Sequence, residues 1–356
     1  MRIPSKLAFA AAALLLVGQG CIQITGTPGA KGTDGGVFRS ADRGTNWQQK
    51  SSVATVGQPR SFAGQNVTTI AFDPSDKKAV YAGTEGGLFF SYDGGESWQG
   101  ASALGAVVVL SVAVSPSEKC TVYVGTGNRV MRTRDCSRTW ENVYFDPRPD
   151  TRVVSVKIDH FNAATVFAAT NKGDFLKSAD GGASWSPIHR FDTEVRQILM
   201  TASDSRNMYA ATKGKGLWKT TDGGATWTDL SAGMGEFAGA LDNMIVAEDV
   251  ARGNSLLVAS NYGLLRTVDG GATWQPLTLL TPPGSTVIFS LAVSPKDSNF
   301  IAYGTSNTLY RSIDGGGKWT TTKMPTTRAA TTLLIDPVND ATIFMGTTLF
   351  KQNTGF

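Results

Sequence analysis

The sequence predicts an all-β fold: a seven-bladed β-propeller of four-stranded antiparallel blades, with the ring closed by pairing N- and C-terminal strands in one blade. Three observations support this prediction. One short pattern, Ser/Thr-x-Asp-x-Gly-x-Ser/Thr-Trp, occurs in seven copies of varying completeness. Their tryptophans are 42 to 51 residues apart, and a period of about 40 to 50 residues is typical of a propeller blade. The segments between copies contain short runs rich in Val, Ile, Phe and Tyr, bounded by Gly, Pro and Asp, as strands in hairpins do.

Each copy of the pattern, called a box below, has the composition of a tight turn. Asp accepts hydrogen bonds from backbone amides a few residues ahead, and Gly adopts positive φ without steric cost. Trp offers a large apolar ring for packing between layers. We therefore predict structural roles for Asp42, Asp93, Asp135, Asp180, Asp222, Asp269 and Asp314, and for Trp47, Trp98, Trp140, Trp185, Trp227, Trp274 and Trp319.

The stretch between two boxes supplies the rest of a blade. In "VTTIAFDPSDKKAVYAGTEGGLFFSYDGGESW", an alternating strand A spans Val67 to Phe72 and is followed by an Asp-Pro turn. Strand B is "AVYAGT", strand C is "GLFFS", and strand D follows the box. The box thus lies at the C–D turn, and four antiparallel strands per repeat are typical of a propeller blade.

The two ends of the chain carry complementary halves of a blade. Strands C and D occur without A and B in "GGVFRSADRGTNWQQ" near the N-terminus. Strands A and B occur last in "AATTLLIDPVNDATIFMGTT" near the C-terminus. Pairing these halves would remove two open sheet edges, so we predict that one composite blade closes the ring.

The N-terminal "MRIPSKLAFAAAALLLVGQGC" is typical of an export signal. Arg2 and Lys6 precede an apolar run too short for the ~20 residues of a membrane-spanning helix. "VGQGC" resembles the bacterial lipobox, although Gly18 replaces the more usual Leu; a plain secretory signal with an incidental cysteine is the alternative. The predicted segments are a lipoprotein signal peptide (1–20), a flexible tether after lipidated Cys21 (21–35) and the propeller (36–356).

Charge and composition narrow the classes of function. The formal net charge of +4 falls to +2 when Arg2 and Lys6 are subtracted, which is too small to argue for a nucleic-acid partner. Two His and three Cys offer no cluster at metal-ligand spacing. We expect no metal, no cofactor and a monomer.

The third box departs from the repeat, with Cys136 and Ser137 where better copies have Gly-Gly. Cys120 lies at the start of strand B of the same blade. The A–B and C–D turns of a meander share one end, so we predict a Cys120–Cys136 disulfide, which suits an oxidising, exported compartment. Two unrelated free thiols are the alternative.

The boxes resemble the Asp boxes, or BNR repeats, of sialidases, xyloglucanases, sortilin-type receptors and photosystem II assembly factors. The resemblance covers nearly the whole chain after the signal and implies the propeller fold. It implies little about activity, because one fold hosts many functions. The sialidase arginine element has no counterpart here: the "RIP" at Arg2 lies inside the signal. Xyloglucanases build their cleft between two propellers, and this chain has material for one.

We expect ligands on the face opposite the boxes, where the B–C turns and D–A connections lie. Basic residues there are suited to an acidic protein segment or glycan, although an ordinary scatter of solvated charges is the alternative. The candidate binding residues are Arg129, Arg152, Lys172, Arg196, Lys213, Lys215 and Tyr262.

The resemblance to photosystem II assembly factors implies a single exported propeller, in some members lipid-anchored, with a scaffolding role at a membrane. We therefore predict a non-catalytic, lipid-anchored binding or assembly protein on the periplasmic or extracellular side of the cell envelope. Its partner would be an envelope protein or glycan. The alternative is a glycoside hydrolase or carbohydrate-binding propeller, for which Asp174, Glu194 and Asp242 are the candidate carboxylates.

Overall fold

The computed structural model describes residues 33–350. This part of the chain contains seven four-stranded antiparallel sheets, one two-stranded hairpin and one short helix. The predicted fold class is thereby confirmed. The predicted signal peptide, Cys21 and most of the predicted tether lie outside the described residues, and those assignments stay predictions.

The elements follow one another in the order that the repeat requires. Blades 2 to 7 each take four consecutive strands, A to D: β5–β8, β9–β12, β13–β16, β17–β20, β21–β24 and β25–β28. The bounds are β1 Val37–Ser40, β2 Gln48–Gln49, β3 Ser52–Val53, β4 Arg60–Ser61, β5 Val67–Phe72, β6 Val80–Thr84, β7 Gly87–Ser91, β8 Gln99–Gly100, β9 Ser111–Val114, β10 Val122–Thr126, β11 Arg129–Thr133, β12 Glu141–Phe145, β13 Val153–Ile158, β14 Val166–Thr170, β15 Asp174–Ser178, β16 Ser186–Arg190, β17 Val195–Met200, β18 Met208–Thr212, β19 Gly216–Thr220, β20 Thr228–Asp229, α1 Ser231–Met234, β21 Ile245–Glu248, β22 Leu256–Ala259, β23 Leu264–Thr267, β24 Gln275–Pro276, β25 Ser290–Val293, β26 Ile301–Gly304, β27 Thr308–Ser312, β28 Thr320–Lys323, β29 Ala329–Ile335 and β30 Ile343–Thr348.

Blade 1 joins the two ends of the chain, as predicted. Its strand order is β2-β1-β30-β29, so strands C and D come from the N-terminal side and strands A and B from the C-terminal side. Val37 lies opposite Gly346, and Ser40 lies opposite Ile343. This pairing satisfies backbone groups that would otherwise be left at two sheet edges.

The hydrophobic core lies between the blades. Strand B of blade 2, β6, is buried at every position, because the neighbouring blades cover both of its faces. Trp98 is fully buried in a cluster with Phe62 and with Val37 and Phe344 of blade 1. The box tryptophan of blade 2 therefore fills an interblade layer, in the manner expected from the sequence.

Hydrogen bonds within each box explain its composition. In box 2, Ser91 Oγ donates to Asp93 Oδ1 (2.7 Å) and accepts from the amide of Gly95 (2.9 Å), while the Ser97 amide donates to Asp93 Oδ1 (3.0 Å). The pKa of Asp42 in box 1 is lowered to about 2, chiefly by the amide of Asn46. Asp135 in box 3 has its pKa lowered to about 2 by hydrogen bonds from Thr139.

The two positions after each box Asp adopt positive φ, which is why Gly is common there. Box 3 places Cys136 (φ 58°) and Ser137 (φ 67°) in this strained region. Cys136 forms the predicted disulfide with Cys120, with a Cα–Cα distance of 4.2 Å. The bridge ties the C–D turn to the A–B turn of the same blade.

A contact between blades was not predicted from the sequence. In several blades the residue before the box Ser/Thr is a cation, which donates to a carbonyl within the box of the next blade. We call these contacts the interblade clasps. They join Arg39 to Gly94 (2.7 Å), Arg132 to Gly181, Lys219 to Gly270 (3.1 Å), Arg266 to Gly315 (3.0 Å) and Arg311 to Arg43 (2.8 Å). The box therefore serves the joint between blades as well as its own turn.

Candidate binding face and central channel

The face opposite the boxes, here called the loop face, is built from the B–C turns and the D–A connections. In blade 2 the amide of Glu85 in the B–C turn donates to the carbonyl of Asn66 at the end of the D–A connection (3.1 Å). At the other end the amide of Gly94 in the box donates to Lys78 of the A–B turn (2.9 Å). The two turn types thus lie at opposite ends of the blade, as expected.

Two D–A connections on the loop face contain structure that the sequence did not indicate. The first carries the hairpin β3–β4, in which Ser52 pairs with Ser61. The connection between blades 5 and 6 carries α1, whose Met234 is fully buried. The amide of Ala54 donates to the carbonyl of Trp98 (2.8 Å), and the amide of Trp98 donates to the carbonyl of Ser52 (3.0 Å). These bonds hold the hairpin and buried Met234 holds α1, so both connections are fixed to the ring.

Two buried carboxylates on the loop face belong to a charge network between blades 3 and 4. Arg148 pairs with Asp146 (2.5 Å) and also with Asp174, and Arg190 approaches Asp174 at 3.1 Å. Asp146 and Asp174 are only 2% and 8% exposed. The hydrogen bond from Arg148 lowers the pKa of Asp146 to about 2. The network fixes the connection after β12 against strand β15.

Three candidate cations also have carboxylate partners. Lys172 pairs with Asp150, which lowers the pKa of that carboxyl. Arg196 and Lys213 share Glu194, at 3.3 Å and 3.7 Å. Exposed pairs of this kind contribute little to stability, about 0 to 1 kcal/mol. Their effect is to give this part of the face an alternating charge pattern where the sequence suggested a basic one.

The remaining candidate residues have different surroundings. Arg129 lies over the ring of Phe145, 5.3 Å from its centroid. Arg152 and Lys215 are exposed, and no ion pair involves either of them within residues 33–350. The ring of Tyr262 packs at 5.2 Å from that of Phe237.

The three candidate catalytic carboxylates have different surroundings. Asp174 and Glu194 each face two cationic side chains. Asp242 is exposed in the D–A connection after α1, where its amide donates to the carbonyl of Gly239 (3.3 Å).

An apolar groove lies on the loop face beside blade 6. It has a volume of about 390 Å³ and is lined by Tyr262, Leu277, Leu279, Leu280, Pro282 and Pro283, among others. Leu280 is 60% exposed. Tyr262 is one of the predicted binding residues. The leucines and prolines of the groove were not predicted, although they stand together in the sequence as "PLTLLTPP".

The centre of the ring holds a second cavity of about 390 Å³. Residues from the A strands of all seven blades line it, among them Lys157 of β13 and Arg196 of β17. Side chains join neighbouring A strands around the channel: Ser111 Oγ accepts from the amide of Val156 (2.9 Å), and Gln197 bonds both the amide and the carbonyl of Val246. Of the predicted site residues, only Arg196 lines this channel.

This architecture defines a class: the protein is a seven-bladed β-propeller with BNR-type repeats. The family model described as "Photosynthesis system II assembly factor YCF48" matches residues 102–251, less than half of the chain. The chain thus resembles this group of propellers, as the sequence indicated. No curated protein sequence matches it.

Solved structures share the fold at low sequence identity. YCF48 from Cyanidioschyzon merolae is 14% identical with a TM-score of 0.61, and the match covers 83% of this chain and 97% of that one. YCF48 bound to D1 peptide is 17% identical with a TM-score of 0.61, covering 80% and 94%. A GH74 xyloglucanase from Xanthomonas campestris is 16% identical with a TM-score of 0.64, covering 83% of this chain and 52% of that one. The present chain therefore spans about half the length of the xyloglucanase.

One finding bears on membrane association. Within residues 33–350, no helix has both the length and the apolar character needed to cross a membrane.

Proposed function

We propose that this protein is a non-catalytic binding or assembly factor of the cell envelope, which holds a protein partner on its loop face. The observation that carries the proposal is the loop face itself. It combines a rigid pattern of paired charges with the apolar groove beside Tyr262. Apolar anchors surrounded by polar groups are the usual composition of a protein-binding surface.

The comparisons support a binding role of this kind. The family model matching residues 102–251 is that of an assembly factor, and one similar structure is of YCF48 bound to D1 peptide. A protein segment is accordingly the partner class that we propose for this chain. A partner carrying both acidic and apolar side chains would complement the exposed Arg152 and Lys215 together with the groove.

Partner capture from an envelope extract tests the role of the loop face. The test variants are Leu280→Asp, which places a charge in the groove, and Arg152→Glu with Lys215→Glu, which reverses two exposed cations. The matched control is Lys318→Glu on the opposite face, in the exposed part of box 7. We expect at least a tenfold loss of captured partner for each loop-face variant and none for the control. Equal recovery from all variants would contradict the assignment of the loop face.

Membrane attachment is proposed from the lipobox-like "VGQGC". Several acyl chains on one cysteine would hold the protein stably, since one chain alone binds only marginally. The test is fractionation and intact mass of the exported protein with and without Cys21→Ser. If the anchor is present, the unsubstituted protein should sediment with membranes and its intact mass should exceed that of its amino acids. The Cys21→Ser variant should stay in the soluble fraction.

A glycan-directed role is the second candidate, because a GH74 xyloglucanase and a further GH74 enzyme share the fold. It predicts binding or hydrolysis of a β-glucan or xyloglucan that depends on Asp174, Glu194 or Asp242. The test is product formation on a glucan panel with Asp174→Asn, Glu194→Gln and Asp242→Asn. Hydrolysis abolished by one of these changes would replace the binding proposal with an enzymatic one.

A further inference from the structure

Lys157 is a departure from the repeat that no role assigned above accounts for. At the end of strand B every blade has a Thr or Ser at an equivalent position: Thr84, Thr126, Thr170, Thr212, Ser260, Thr305 and Thr347. The strand-A residue at the level of Lys157 pairs with the strand-B residue three positions before that Thr or Ser. Lys157 pairs with Phe167 in this way. The equivalents in the other six blades are all small or apolar: Ala71, Ala113, Leu199, Ala247, Ala292 and Leu334. The propeller fold is therefore satisfied by Ala or Leu at this position, and it does not require the lysine of blade 4.

The side chain of Lys157 is enclosed but unpaired. It is half-buried and lines the central channel. Within residues 33–350 it makes neither a hydrogen bond nor an ion pair, and the residues that line the channel include no carboxylate. Burial lowers the pKa of its amino group, because removing a charge from water without a partner is costly. An unpaired ammonium in such a position destabilises the free protein.

The rest of the channel suits a small anion. The walls are inner-edge strands, whose backbone offers amide groups. They also carry the hydroxyl groups of Ser290 and Thr332, which are buried without a hydrogen-bond partner within residues 33–350. Arg196, on the second residue of β17, lies nearer the loop face than Lys157, on the fifth residue of β13. A difference of three strand residues corresponds to about 10 Å along the channel axis. Arg196 and Lys157 therefore lie at two different depths in the channel. The cavity of about 390 Å³ has room for a ligand the size of a small acid.

We propose that the central channel is a binding site for a small oxyanion, a phosphate or a carboxylate, held by the ammonium group of Lys157. Binding would supply the counter-charge that this group lacks. At the loop-face side, Arg196 and Lys213 share the single carboxylate of Glu194, which leaves one net positive charge to attract the anion towards the channel. The site is independent of the loop-face partner proposed above, because the ligand is small and Lys157 lies inside the ring.

Equilibrium dialysis of the purified protein tests the proposal. The probes are radiolabelled inorganic phosphate and radiolabelled succinate, each at constant ionic strength set with NaCl. We expect one ion bound per chain for at least one probe, and the probe that binds identifies the chemistry as phosphate or carboxylate. Lys157→Met should weaken binding at least tenfold, whereas Lys157→Arg should retain it. Lys323→Met, which removes an exposed lysine of β28, is the matched control and should bind normally.

Thermal unfolding provides a second readout. A ligand at a hundred-fold excess over its dissociation constant should raise the unfolding midpoint of a domain this size by about 4 °C. Without ligand, Lys157→Met should unfold at or above the midpoint of the unsubstituted protein, because it removes a desolvated charge. The inference is overturned if neither probe binds, or if Lys157→Met binds as tightly as the unsubstituted protein.

Discussion

Removing one interblade clasp should weaken the ring at its closure. Arg311 of blade 7 donates to the carbonyl of Arg43 (2.8 Å), to Thr45 Oγ1 (2.8 Å) and, within its own blade, to Thr322 Oγ1 (3.0 Å). The first two bonds cross from blade 7 to composite blade 1, between residues more than 260 positions apart in the chain. The substitution Arg311→Met keeps most of the side-chain volume and removes all three bonds.

The expected cost follows from these contacts. A hydrogen bond from a charged group contributes about 1.5 to 3 kcal/mol. Water can replace Arg311 at the exposed Thr45, and burial of the guanidinium, which also lowers its pKa, offsets part of the gain. We therefore expect a net loss of about 2 kcal/mol. With an unfolding entropy of about 2.1 cal/mol/K per residue, this corresponds to a fall of about 3 °C in the unfolding midpoint.

Differential scanning calorimetry and hydrogen exchange together measure this effect. Exchange should accelerate in β1, which lies beside the weakened joint, and less in blades 3 to 5. Lys323→Met removes an exposed positive charge from the same blade and should leave both measurements unchanged. Equal midpoints for the two variants would refute the reasoning that the clasp contributes to closure.

Three further predictions concern the boxes. Replacing Cys120 and Cys136 together by Ser should lower the free energy of unfolding by about 3 kcal/mol, because the bridge closes a loop with a sequence separation of 16 residues. Chemical denaturation measures the loss. Two free thiols in the unsubstituted protein under non-reducing conditions would contradict the bridge. Ser137→Gly should raise the free energy of unfolding by about 1 kcal/mol, because Ser137 has φ 67°, a conformation that is strained for residues with a Cβ. An unchanged denaturation midpoint would contradict a strain energy of this size at Ser137. Asp42 and Asp135 have folded-state pKa values of about 2, below the value of about 4 for an unfolded chain. The unfolded state therefore binds more protons between these limits, and the contribution of these two carboxyls to stability should be complete above about pH 5 and be lost as pH drops from 4 towards 2. Asp135→Asn should reduce this acid dependence in a pH series of thermal midpoints.

The sequence was most informative where a structural unit is encoded locally and repeated. Each box contains its own hydrogen-bond acceptor, its own positive-φ positions and its own packing ring, so seven copies specify seven turns. Strand bounds such as Val67–Phe72 followed from alternation alone. The disulfide could be predicted because Cys120 and Cys136 belong to one blade, whose meander fixes which turns are neighbours.

The candidate site was less accessible to sequence reasoning because its contacts join different repeats. Arg148 follows the last strand of blade 3 and pairs with Asp174 of blade 4. Without knowledge of that contact, Arg148 counts only as one more basic residue of the loop face. The same holds for the interblade clasps. A cation such as Arg311 can be read from the sequence, but its acceptor is the backbone carbonyl of Arg43. Every residue has such a carbonyl, so the sequence does not identify which one accepts. Lys157 was detectable by aligning strand A of all seven repeats, a comparison that the box pattern did not prompt.

The sequence by itself determined the number of blades, the strand order, the composite closure and the cysteine bridge, because these depend on local periodicity and on which halves of a blade stand at each end. Only the tertiary structure decided which charges are paired on the loop face, which carbonyls receive the clasps and which side chain stands alone in the channel. These depend on distances between residues of different blades. Such distances are set by how the blades pack around the ring, which no single repeat encodes.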